Sequence, residues 1–237
     1  MTGDLEGQWP LFGLQMKMGD VSLSPVREVD LPALARMLPA DAEQDPTSSM
    51  LNGLSIEENR RRILAQSYWR SWASWTVESW YIFFRVTAGG RMVGIQTLEA
   101  EHFPALRTVD SSSWLVADAR GKGIGVAMRT AMRALAFDHL GADAAVTSAR
   151  EDNLASIGVS RHLGYQDNGT SKSLSPSGPC VLLHMILHRD SWLSSRQGRT
   201  VDVRGLDACA PWFGVEIVPQ ARVLPNRKRR IPERAAT

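Results

Sequence analysis

Cysteine is nearly absent from this chain. Its 237 residues hold two, Cys180 and Cys209, too few and too far apart for a disulfide framework or a cysteine zinc site. Long apolar runs are lacking too, none approaching the roughly 20 residues that cross a bilayer. The opening Met1-Thr2-Gly3-Asp4-Leu5-Glu6 has neither a basic nor an apolar region, so no export signal is read there. These absences predict a soluble protein of the reducing cytoplasm with no membrane partner. Charge of one sign is scarce, with 27 basic residues against 25 acidic ones. The small excess is unevenly placed. Arg222, Arg227, Lys228, Arg229, Arg230 and Arg234 face Glu233 alone, a local +5 that leaves −3 for the rest. A short basic run flanked by Pro225 and Pro232 predicts a solvated tail, and nucleic acid is not an expected partner.

What is present is ample material for a core, since 43% of the residues are hydrophobic. Asp30 ahead of Leu31-Pro32 reads as the start of a helix that Pro39 ends. A second helix opens at Ser55, with Glu58 completing a capping box, and runs to about Trp72. Its buried stripe is expected to hold Ile56, Ile63, Leu64 and Tyr68, with Arg60, Arg61 and Arg62 on a solvated face. Strands follow at Tyr81–Val86 and Met92–Leu98, joined by Gly89-Gly90 as a hairpin. A strand from Thr108 to Val116 leads through a glycine-rich loop into a helix from Val126 to Leu140. Ala144–Ala149 reads as a strand, Asp152–His162 as a short helix, and Tyr165 as the start of another strand. Gly169–Pro179 reads as a polar, flexible stretch, and Val181–Leu187 as a buried strand. The order predicts an α/β sandwich around one mixed sheet. Pro10-Leu11-Phe12-Gly13-Leu14 is echoed by Pro211-Trp212-Phe213-Gly214-Val215, which implies chance or two apolar segments docking at similar grooves.

The loop Arg120-Gly121-Lys122-Gly123-Ile124-Gly125 is the most informative segment. A strand entering a glycine turn that opens a helix aims backbone N–H groups at one point, which suits a pyrophosphate. Such turns also occur without a ligand. The Walker pattern is excluded because Val126 and Ala127 follow the last glycine, and the dinucleotide fingerprint because Val126 stands where its third glycine belongs. His184 and His188, in a strand, lie about 13 Å apart, so no metal is expected.

Arg120-x-x-Gly123-x-Gly125 resembles the (Gln/Arg)-x-x-Gly-x-(Gly/Ala) motif of GNAT acyltransferases. Asp110 to Trp114-Leu115 before the loop and Asn153-x-x-Ser156 to Leu163-Gly164-Tyr165 after it extend the resemblance. With the closing Leu187-His188-Arg189-Asp190-Ser191-Trp192 it is most similar to the RimJ/RimL subgroup, actinobacterial members in particular. The resemblance implies a GNAT-like, mostly antiparallel mixed sheet flanked by helices, spanning residues 21–192. A segment 1–20 precedes this domain, and an extension with the basic tail, 193–237, follows it. It also implies an acetyl-CoA, succinyl-CoA or other acyl-CoA donor, with a homodimer left open. By the same resemblance the loop amides from Gly121 to Val126 bind the pyrophosphate, including those of Lys122 and Ile124, with Arg120 as part of the motif. The strand edge at Leu115 and Val116 pairs with pantetheine, and Asn153 and Ser156 add contacts.

An amine acceptor must lose a proton, since holding an alkyl amine neutral at pH 7 costs about 4 to 5 kcal/mol. Asp110, at the acidic position of the subgroup, is the candidate base; an exposed strand-end aspartate is the plain alternative. Many GNATs place a tyrosine where this chain has Ser160, so Ser156 is the candidate donor to the departing thiolate. The cluster Trp69, Trp72, Trp75 and Trp80 marks an apolar neighbourhood near the acceptor side. Two functions remain open: acyl transfer to a primary amine of a protein, peptide or small molecule, or non-catalytic CoA binding with a tail for partner contact.

Overall fold

Alternation along Trp80–Ala88 sets the two faces of the sheet. Trp80, Ile82, Phe84 and Val86 enter the larger core, while Phe83 joins a smaller one with Val26, Leu31, Leu34, Tyr68 and Ile95. The computed structural model describes residues 5–42, 48–175, 178–195 and 200–215; the basic run 221–237 lies outside them.

The helices are α1 (Leu5–Gln8), α2 (Leu31–Met37), α3 (Ile56–Ala73), α4 (Phe103–Leu106), α5 (Ile124–Arg133), α6 (Leu154–His162), α7 (Arg189–Ser195) and α8 (Leu206–Cys209). The strands are β1 (Gln15–Met18), β2 (Val21–Pro25), β3 (Trp80–Ala88), β4 (Arg91–Ala100), β5 (Thr108–Asp110), β6 (Ser113–Leu115), β7 (Ala144–Arg150), β8 (Gln166–Ser175), β9 (Gly178–His188) and β10 (Asp202–Arg204). They form one sheet in the order β10-β1-β2-β3-β4-β5-β7-β9-β8, with β6 also on β4. Every pairing is antiparallel except β5 with β7. The expected mixed, mostly antiparallel α/β sheet flanked by helices is what the chain forms.

Helix α3 begins as expected, with Glu58 N–H donating to Ser55 Oγ and Ser55 N–H to Glu58 Oε2. Several expectations need correction. Ile56 is 70% exposed, because it holds the first helical position, ahead of the first buried side chains of α3. Arg60 is buried, not solvated: it donates to the carbonyls of Pro39 and Ala42 and so closes the connection after α2. Asp30 makes no side-chain cap to α2; its carboxylate accepts from Arg27 N–H and pairs with Arg85 at 2.9 Å. The stretch 169–179 was expected to be flexible, yet its described residues belong to the β8–β9 hairpin. Strands β1, β2 and β10 had not been anticipated, and β10 beyond residue 192 pairs with β1 before residue 20.

Candidate active site

The expected single strand Thr108–Val116 is two strands, because its halves pair differently. Asp110 closes β5, which lies parallel to β7 through Val146. Ser111 and Ser112 break the run, and β6 then follows β4 alone. Ser112 C=O accepts from Thr97 N–H at 2.8 Å and from Gln96 Nε2 at 3.0 Å, while Thr147 Oγ1 donates to Ser111 C=O at 3.0 Å. These bonds fix the fork where β6 parts from β7. Val116 N–H donates to Val93 C=O, so alternation turns the backbone groups of Ser113 and Leu115 to the open edge. Gly94 permits this approach of β4 and β6, since a Cβ there would stand 2.1 Å from Trp114 O.

Past the fork the chain enters the glycine loop. Arg120 is held on all sides: its N–H donates to Ala117 C=O, its Nε to Leu115 C=O at 2.9 Å, and its guanidinium grips Asp41 at 2.6 and 2.8 Å. The Arg120 pairing and its hydrogen bonds hold the Asp41 carboxyl below the ordinary range. What Arg120 offers is therefore the placement of the loop. Gly123, at φ +77, is the N-cap of α5 and supplies no side chain, and Ala127 N–H makes the first helical bond to it. Among the described residues none accepts from the amides of Ile124, Gly125 and Val126, and a Cβ at Gly121 or Gly123 would meet only open space. Unpaired amides at the end of a helix dipole attract an anion. Lys122 is exposed beside them.

Helix α6 starts at Asn153, whose Oδ1 accepts from Ser156 N–H at 3.1 Å. Ser156 Oγ and Ser160 Oγ both accept from Arg129 of α5, at 2.9 and 2.7 Å, and Arg129 also reaches Ser113 Oγ of β6 at 3.4 Å. Ser160 is wholly buried.

Asp110 points to the face opposite α5. It is half-buried, and burial pushes its carboxyl up to about 6, although Ser111 N–H donates to it at 2.6 Å and His184 lies near enough to oppose the rise. Glu99 of β4 is its cross-strand partner. His184 bridges Ser148 and Ser171 at 2.8 and 2.7 Å. No hydrogen bond joins Asp110 to Ser156 among the described residues. Arg129 and Glu99 had no place in the sequence reading, and His184 was weighed there only as a metal ligand. Arg129's one signal is a charge, shared with Arg133, inside the amphipathic helix pattern, and its serine partners lie 16 to 31 residues away.

A forked sheet with an open helix N-terminus beside the fork defines a class of anion-holding transferase fold. The acetyltransferase (GNAT) domain model matches residues 20–166, and the chain belongs to that family of CoA-dependent acyltransferases. Among solved structures it is similar to Mycobacterium smegmatis RimJ in complex with CoA-disulfide, at 18% identity and TM-score 0.62, covering 79% of this chain and 95% of that one. It is also similar to RimL, a ribosomal L7/L12 alpha-N-protein acetyltransferase in complex with coenzyme A, at 17% identity and TM-score 0.55, covering 73% and 96%. A spermidine N-acetyltransferase SpeG chimera from Vibrio cholerae and hSSAT aligns at 11% identity and TM-score 0.57, covering 74% and 99%. The fold is RimJ/RimL-like. No helix among the described residues is long and apolar enough to cross a membrane.

Proposed function

We propose that this chain transfers an acetyl or other short acyl group, succinyl included, from acyl-CoA to a primary amine of a protein, peptide or small molecule. The observation that carries the reading is the fork between β6 and β7, with an unpaired helix N-terminus on one side and the Asp110 carboxylate at its apex. The amides from Gly121 to Val126 would hold the donor's pyrophosphate. The open edge at Leu115, with Val116 beyond it, and the free amide nitrogen of Asn153 would hold its pantetheine arm. An Asp110 carboxyl at about 6 is mostly ionised at pH 7 yet more basic than an ordinary aspartate, which suits it to take the ammonium proton. The freed amine attacks the thioester carbonyl, the C–N bond forms, and the C–S bond breaks with its electron pair on sulfur. The attacking nitrogen sheds its second proton to solvent as the C–S bond breaks, so the products are an amide, CoA thiolate, protonated Asp110 and one released proton. Ser156 O–H would donate a hydrogen bond to that sulfur. The catalytic unit would be residues 21–192, with 193–237 as an extension.

Buried Ser160, in place of the usual tyrosine, favours a second reading, a CoA-binding domain without catalysis. Thiol release from acetyl-CoA and succinyl-CoA over a panel of amines, polyamines and peptide N-termini separates the two. Turnover above the no-enzyme rate with any amine supports transfer. CoA binding without turnover across the panel supports the second reading.

A further inference from the structure

Arg129 is a half-buried, desolvated cation with no anionic partner among the described residues. Its Nη1 donates to Ser160 Oγ at 2.7 Å and its Nη2 to Ser156 Oγ at 2.9 Å and Ser113 Oγ at 3.4 Å, so three neutral hydroxyls on β6 and α6 are its acceptors. Among the described residues no carboxylate pairs with it, and burial lowers its pKa from the ordinary arginine value. A guanidinium stays charged even so. Leaving a charge desolvated and unpaired by an anion is costly, so a site that keeps one has a use for it or is penalised without return. The hydroxyls supply the direction of that use. A serine oxygen occupied as acceptor still has its own proton to donate, and it donates better with a cation behind it. Ser160 is sealed in the interior, whereas Ser113, on the open edge of β6, and Ser156, on the first turn of α6, are both half-buried beside the cleft.

We propose that Arg129 is the positioning residue for thiolate release: it fixes Ser156 and Ser113 as hydroxyl donors toward the cleft and backs them with positive charge, stabilising the departing CoA sulfur as its anion. This rests on the acyl-transfer reading above. Breaking the C–S bond leaves the electron pair on sulfur; of the two protons the ammonium gives up, one has gone to Asp110 and the other to solvent, and the thiolate takes a proton from solvent after release. A tyrosine at position 160 would give its proton directly. Here Ser160 instead helps anchor the guanidinium, and the charge is relayed through Ser156.

The test titrates the thiol of bound CoA by the ultraviolet absorbance of its thiolate, using desulfo-CoA complexes as blanks to remove Cys180 and Cys209. In the wild-type complex the thiol should titrate about one unit or more below free CoA, as expected for a cation near a thiolate. In Arg129→Met it should return toward the free value while CoA stays bound, and kcat should fall about tenfold or more with KM little changed. Arg129→Lys, which keeps the charge but cannot hold two hydroxyls, should fall between. If Arg129→Met does not fold, Ser156→Ala gives the same readout with the guanidinium still bonded to Ser160. A wild-type bound thiol that titrates as free CoA, or one that neither variant shifts, overturns the proposal. Absence of CoA binding to the wild type would instead remove the acyl-CoA reading itself.

Discussion

Asp110 carries opposite consequences for stability and for activity. Its folded carboxyl, raised by burial to about 6, lies above the 3.8 expected of an unfolded chain. Below about pH 4 the group is protonated in both states and costs nothing; above 6 it is ionised in both, and the fold bears the full desolvation penalty. Asp110→Asn keeps the shape and an acceptor for Ser111 N–H while removing the charge. It should therefore be more stable than wild type at pH 7, by at most roughly 3 kcal/mol, with the gain fading as pH falls to 4. Denaturant unfolding at both pH values measures this; a variant less stable at pH 7 would make Asp110 a structural anchor. Transfer at pH 7 should fall ~10²-fold, and part of it should return toward pH 9 to 10, where solvent supplies neutral amine. A wild-type rate and pH profile in the variant would eliminate Asp110 as the base.

Among the elements, the two echoing segments meet. The 3-10 turns Pro10–Gly13 and Ala210–Phe213 meet over Trp75, just past α3, with Trp9 and Trp212 rings 4.4 Å apart and Trp75 Nε1 donating to Trp212 C=O at 3.0 Å. Cys209 S–H reaches Pro10 C=O, and Phe213 is fully buried between Trp75 and Trp80. Phe213→Ala should cost about 3 to 5 kcal/mol, read as a fall in the denaturation midpoint. A loss under about 1 kcal/mol would show the C-terminal segment to be loosely docked, since exposed sites typically respond that weakly. The tryptophans were legible as a cluster, but not that the segments 9–13 and 209–213 cover it. Elements with a local signal were also legible: the Ser55–Glu58 box, the Gly89-Gly90 hairpin and the glycine turn into α5. The start of strand β8 was legible at Tyr165, but not its run from residue 169 to 175, because its mostly exposed edge position leaves no apolar alternation to read. Nor was the break at Ser111 and Ser112, which is decided by β4 and β7 partners distant in sequence. The glycine loop stands between β6 and α5 as its sequence implies, yet the ties of Arg120 to Asp41 and Leu115 exist only in the folded chain.

At the scale of the whole molecule, the ties run from one sheet face to the other. Arg60 of α3 holds the carbonyls of Pro39 and Ala42, Asp41 between them grips Arg120, and Arg120 holds Leu115 at the end of β6. The α2–α3 side and the glycine loop are thus linked by a chain of contacts, and a ligand at the loop should stabilise more than the loop. Binding confined to the folded state adds about 2.7 kcal/mol at a hundredfold excess over Kd, whatever the contacts. For a domain of this size that corresponds to a melting-temperature rise on the order of 5 to 10 °C. CoA should produce it, and free adenosine should not, because the loop's unpaired amides select the pyrophosphate. Gly123→Val should lose the rise. A Cβ at that position meets no protein atom, so the substitution strains only the φ of +77 and fills the space a pyrophosphate would occupy. A Gly123→Val variant that melts as one cooperative unit and still gains the full CoA shift would move the donor site away from this loop. A wild type with no shift at saturating CoA would remove the donor altogether.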